Sequence, residues 1–215
     1  MGRIKKIICV VLLLSALLPA WAAGKKDRSF PRMTFGIEGS FSGTFLAYRH
    51  SNFISNYGYR IDRKTFRHRF HGNGEFLLHI GYNVSSNINL SIYSGYSGAG
   101  NGKSGHIYPF NLRCTWYPSE RAEDDRWFAF LDAGPALKKT GSKADIAGNG
   151  RIGGGYRLSI TRSVKLDFLI SLRQVILRNI NLQPGGMGTE YIEKEKIRRN
   201  NASYTALTLG VGITF

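Results

Sequence analysis

Ser203-Tyr204-Thr205-Ala206-Leu207-Thr208-Leu209-Gly210-Val211-Gly212-Ile213-Thr214-Phe215 closes the chain. Leu207, Leu209, Val211, Ile213 and Phe215 are large and apolar. Ala206, Thr208, Gly210, Gly212 and Thr214 between them are small or hydroxylated. A period of two places successive side chains on opposite faces of a β-strand. This stretch is therefore a strand with one greasy face and one small, polar face, and it stops on an aromatic residue with no tail.

Working back from that strand, the same alternation recurs six times, and a seventh stretch joins the set on other grounds. Met33 to Tyr48 sets Phe35, Ile37, Phe41, Phe45 and Ala47 against Thr34, Glu38, Ser40, Ser42 and Thr44. Gly72 to Tyr82 sets Phe76, Leu78, Ile80 and Tyr82 against Glu75, His79 and Gly81, with Leu77 as an exception. Ile88 to Tyr96, His106 to Tyr117, Gly150 to Ile160 and Val164 to Ile176 read the same way. Arg126 to Ala136 is apolar on both faces, and Asp132 decides it. A charge facing lipid near mid-bilayer costs about 2–4 kcal/mol, less for acids, so Asp132 turns inward with Phe128 and Phe130. The polar faces collect Glu38, Glu75, Arg113, Asp132, Arg151, Arg157, Lys165, Asp167 and Arg173 as a lumenal network. Arg49 to Phe70, Leu137 to Asn149 and Leu177 to Asn201 show no strand period and read as loops, the first and last of them highly charged.

The connections alternate between short and longer ones. Short turns at one end and longer loops at the other are the layout of a transmembrane barrel. Aromatics sort by height as well. Phe35, Tyr82, Trp116, Trp127 and Phe215 fall at the turn ends, and Tyr48, Tyr96, Tyr108 and Tyr204 at the loop ends. Two such girdles mark the bilayer interfaces. The fold expected is an all-β, eight-stranded, antiparallel up-and-down barrel over residues 33–215. Its last strand must pair with its first, because hydrocarbon offers no water to an open sheet edge. With eight strands the side chains just fill the lumen. A soluble, lipocalin-like barrel needs the reverse distribution, with an apolar lumen and a polar outside.

The start of the chain fits export. Arg3, Lys5 and Lys6 precede an apolar run from Ile7 to Leu18, then Pro19 and Ala20-Trp21-Ala22. This is the layout of a signal peptide over residues 1–22, cleaved after Ala22, with a short polar lead over 23–32. The run is too short for a membrane-spanning helix. Cleavage would remove Cys9 and leave Cys114 alone, so no internal disulfide is expected. Lysine and arginine number 30 against 14 acids, a net charge of +16. For an exported chain that balance points away from nucleic acid and toward anionic surfaces such as lipopolysaccharide phosphates.

With its signal-like start, alternating strands and closing Leu207-to-Phe215 stretch, the chain resembles the small OmpA/OmpX-like outer-membrane barrels of Gram-negative bacteria. Its flavour is that of the porin-family, outer membrane beta-barrel domain proteins of Bacteroidota. The resemblance implies that Phe215, with Ile213, Val211 and Leu209, carries the signal read by the barrel-assembly machinery. Unlike full OmpA, the chain is expected to carry no peptidoglycan-binding domain after the barrel. A monomer in the outer membrane is expected, and the resemblance admits a role in an envelope assembly.

Chemical motifs are sparse. Gly148 to Gly153 matches G-x-G-x-x-G but opens no helix, and no acid follows about 20 residues on. Gly102-Lys103-Ser104 lacks the first glycine of a phosphate loop. The five histidines show no metal-ligand spacing, so no metal or cofactor is expected. A lipid A deacylase or acyltransferase would need a serine, a histidine base and an acid. His50-Ser51, and His106 with Ser104, supply the first two without an identifiable third. The expected role is a structural or surface-interaction barrel with a polar, plugged lumen and basic external loops that meet lipopolysaccharide or an external protein. The lipid-modifying enzyme and a narrow channel are the alternatives.

Overall fold

The computed structural model describes residues 32–55, 57–99, 106–119, 125–140, 143–161, 163–178 and 196–215. Eight strands form one closed barrel in sequence order. They are β1 Met33–Ile54, β2 Arg60–Asn83, β3 Ile88–Gly98, β4 His106–Trp116, β5 Arg126–Thr140, β6 Lys143–Ser159, β7 Lys165–Leu177 and β8 Ile197–Thr214. All neighbours are antiparallel. β8 pairs with β1 from Thr214 opposite Gly36 to Ile197 opposite Phe53. Phe35 and Phe215 complete the seam, exchanging backbone hydrogen bonds of 3.2 and 2.7 Å, and their rings stack with centroids 5.4 Å apart.

The two faces of the wall differ as the alternation predicts. Phe35, Phe41, Phe76, Ile80, Leu112, Trp127, Leu131, Phe168 and Leu209 are exposed on the outside. Glu38, Asn111, Arg113, Asp132, Arg151 and Thr208 are buried on the inside. Asp132, the residue that set the face of β5, is 1% exposed. On the outer wall Gly43 lies opposite Gly72. Phe70 covers the space a Cβ would take at Gly43, and Phe41 does the same at Gly72. Rings laid over glycines in this way hold a sheet together where two side chains are missing.

Several sequence expectations require correction. Arg49 to Phe70 is not a loop. It is the outer part of the β1–β2 hairpin, turning at residues 55–59, where the Ser55 N–H donates to the Tyr59 carbonyl. Leu137 to Asn149 is likewise paired strand, from Leu137 opposite Ile146 to Thr140 opposite Lys143. Within the third expected loop, β8 begins at Ile197, and the segment 179–195 lies outside the described residues. The first of these stretches projects beyond the apolar belt, where both faces meet water and no selection for alternation marks it as strand. In Leu137 to Asn149 one face still enters the lumen, with Ala147 and Asn149 buried, but its small residues hide the alternation.

Two side chains also change face. The pairing slips at Phe45, between Thr44 and Leu46. A bulge of this kind reverses the alternation beyond it, so Ala47 packs inside rather than with Phe35. Tyr204 lies opposite Ala47 and is buried in the lumen, not in the outer girdle. The expected signal peptide, 1–22, and all of the lead, 23–32, except Arg32 lie outside the described residues.

Candidate functional site

The lumen is layered. At mid-height three arginines and three carboxylates face one another. Arg151 on β6 is the hub. Its Nη1 donates to Glu38 at 2.8 Å and to Glu75 at 2.6 Å, and its Nε donates to Asp132 at 2.9 Å. Arg113 on β4 reaches Glu38 at 2.7 Å and Asp132 at 3.0 Å. Arg173 on β7 reaches Glu75 at 3.3 Å and donates to Asn149 at 2.9 Å. The Arg113 guanidinium also lies between two rings, 3.8 Å from the Tyr93 centroid and 4.2 Å from that of Phe130. Equal numbers of opposite charges meet in a dry interior, where any one left alone would be costly.

Toward the turn end Arg157 grips Asp167 with two bonds of 2.6 and 2.7 Å, and Thr214 donates to the same carboxylate at 3.1 Å. Lys165 stands apart from the six-charge ring. Its Nζ donates to the Ser159 hydroxyl and the Thr161 carbonyl. Tyr117, Phe128, Phe130 and Leu169 form an aromatic layer here. A cavity of about 10 Å³ beside His79, Tyr93 and Arg157 is close to the least that holds one water. Toward the loop end the interior turns apolar, with Ile107, Ala136, Ala147, Val175, Leu177, Ala202 and Tyr204 packed together. Sequence reasoning missed that layer. Its residues sit on the inward register of their strands, and counting parity from Arg113, Asp132, Arg151, Arg173 and Thr208 finds them.

Above the belt, β2, β1 and β8 continue as a three-stranded sheet. Arg63, Lys64, Arg67, Arg198 and Arg199 are exposed on it. Its acid, Asp62, accepts hydrogen bonds from His50 at 2.8 Å and Asn52 at 3.1 Å. The His50 bond holds the Asp62 carboxyl below the usual aspartate range. His50 thus has the acid partner that spacing alone did not reveal. Ser51 does not join them. It points to the opposite face and donates to Asn200. His106 contacts the Tyr96 hydroxyl, and Ser104 lies outside the described residues. Gly148 to Gly153 is continuous strand within β6, with no turn to hold a phosphate. Among the described residues no three histidine, cysteine or acidic side chains converge as metal ligands.

A closed barrel with an apolar belt outside and buried charge inside is an integral membrane protein of the bacterial outer membrane, since only a closed barrel lets strands cross hydrocarbon. The architecture is that of the small eight-stranded outer-membrane barrels. No protein-family model matches the chain, and no curated protein matches it. Solved structures do. The chain is similar to the N-terminal β-barrel domain of OprF from Pseudomonas aeruginosa, with 12% identity, 84% of this chain and 99% of that one covered, and a TM-score of 0.39. It is similar to Neisserial surface protein A, with 14% identity, coverage of 84% and 97%, and a TM-score of 0.38. It is also similar to the outer membrane protein OprG from Pseudomonas aeruginosa, with 9% identity, coverage of 88% and 99%, and a TM-score of 0.47.

Proposed function

We propose that the protein is a non-conducting, non-enzymatic barrel that presents a basic platform at the cell surface, where it engages the phosphates of lipopolysaccharide. The carrying observation is the segregation of charge. The lumenal arginines Arg113, Arg151, Arg157 and Arg173 are each matched by a carboxylate within 3.3 Å, whereas Arg63, Lys64 and Arg67 stand exposed on a paired sheet. Cations held on strands lose less freedom on binding than cations on a loop. The ion ring and the layers above and below it support a plugged lumen. Ser51, turned away from His50 and Asp62, leaves the deacylase arrangement unassembled. The alternation of Leu209, Val211, Ile213 and Phe215 supports recognition of β8 by the barrel-assembly machinery, after cleavage of a signal peptide at Ala22.

The test uses the protein in phosphatidylcholine nanodiscs and lipopolysaccharide micelles as analyte. Binding is expected to weaken as salt rises and to fall at least tenfold in an R63Q/K64Q/R67Q variant. Equal binding by the variant would overturn the reading, and stepwise conductance in a planar bilayer would overturn the plugged lumen.

A further inference from the structure

β2 pairs with β3 only from Glu75 to Asn83. From Arg60 to Gly74 it pairs with β1 alone among the described residues. From Arg60 to His68 its other side is a sheet edge of about 26 Å, at the usual rise per residue, with no partner strand among the described residues. Hydrocarbon does not tolerate such an edge, so this part of β2 stands in water above the membrane. The bond from the Ser55 N–H to the Tyr59 carbonyl fixes the phase. Alternation from there turns the N–H and C=O of 61, 63, 65 and 67 toward β1. Those of Arg60, Asp62, Lys64, Phe66 and His68 face outward, unpaired within the described sheet.

We propose that this edge captures an extended acidic polypeptide by strand addition. The inference rests on the surface-interaction reading and names a partner for it. An open edge recruits a strand through backbone hydrogen bonds, with side-chain pairs setting specificity. The edge carries Arg60, Arg63, Lys64 and Arg67. Its acid, Asp62, is already held by His50 and Asn52. A strand laid alongside puts its residues about 5 Å from these side chains. A second copy docking edge to edge sets cation against cation and is repelled. Acids at alternate positions of an incoming chain meet Arg63 and Arg67 on one face or Lys64 on the other.

The experiment uses the full chain in phosphatidylcholine nanodiscs and fluorescent (Glu-Thr)5 as probe, with (Lys-Thr)5 and (Glu-Pro)5 as controls. (Glu-Thr)5 is expected to bind, with both controls at least tenfold weaker. The bound peptide should slow exchange of the 62, 64, 66 and 68 amides at least tenfold. H68P removes one outward N–H while sparing the β1 pairing, a place where an edge strand accepts proline. It should weaken the peptide at least tenfold and leave lipopolysaccharide binding unchanged. A gel shift on boiling verifies that the variant is folded, and amide protection in the unmodified protein needs no variant. Equal affinity for (Glu-Pro)5, unprotected amides, or no binding of (Glu-Thr)5 would each overturn strand capture. The two readings fail separately, because micelle binding depends on charge and the H68P effect on a backbone donor.

Discussion

The belt and the outer sheet are built from the same strands and obey different rules. Within the belt, β1 alternates Phe35, Ile37 and Phe41 against Glu38 and Ser42, because one side meets lipid and the other meets the lumen. Above it, β1 continues as Arg49 to Ile54 with water on both sides, and the alternation disappears although the pairing does not. The membrane imposes the pattern, and the backbone alone sustains the strand beyond it. About 9–11 tilted residues span a bilayer. The 22 residues of β1 and 24 of β2 overshoot that length by half or more. Charges differ in the same sense. In the lumen Arg113, Arg151, Arg157 and Arg173 each have a carboxylate, while the outer sheet keeps cations in excess.

If that contrast is right, the largest effect should come from the hub of the ring. Arg151→Met leaves Glu38, Glu75 and Asp132 short of a cation. It should cost about 3–5 kcal/mol in urea unfolding of the reconstituted barrel. Arg63→Met on the outer sheet should change the midpoint little.

Next comes the wall. Leu209→Arg, facing lipid, should cost about 2–4 kcal/mol, whereas Phe66→Arg should cost under about 1 kcal/mol. Equal costs would mean that the belt extends over Phe66.

Smaller again is a close approach in the wall. A Cβ at Gly95 would lie 2.1 Å from the Phe76 carbonyl oxygen, while one at Gly39 meets nothing within 4 Å. Gly95→Ala should therefore cost about 1–3 kcal/mol and Gly39→Ala almost nothing, read from the same unfolding curves.

The smallest effect concerns the Asp62 cluster. The His50 hydrogen bond holds its carboxyl below the usual aspartate range, so the cluster's contribution is complete above about pH 4 and is lost as pH falls through the lowered value. Amide protection at Asn52 and Asp62, relative to intrinsic exchange at the same pH, should fall below about pH 4, with no shift in global unfolding attributable to this pair. Asp62→Asn should remove that pH dependence.

What was legible in the sequence follows from the same contrast. Asp132 alone resolved the face of β5, because one acid in an apolar strand has only one affordable direction. The faces of β2 to β8 followed from similar residues. Ala47 lay beyond reach, since a bulge at Phe45 leaves no mark in the residue pattern. Tyr204 was readable and was misplaced. Its even position, shared with Ala206 and Thr208, already sets it inside, and height alone does not make an aromatic at a strand end a girdle residue. The partner of His50 was hidden for a geometric reason. Asp62 lies twelve residues away and comes near only through the register that sets Asn52 opposite it. The hairpin that creates this register was the stretch without alternation.

The ion ring has a consequence for assembly order. Glu38 meets arginines 75 and 113 residues further along the chain. A flat, half-inserted sheet holds these groups three to five strands apart, each bare against lipid. Curling and insertion must therefore advance as one kinetic event. During refolding into vesicles, the fluorescence rise as Trp127 enters lipid and the appearance of the boiling-sensitive gel band should share a single rate constant. Two separate rates would mean that the wall enters the bilayer before its charges have met.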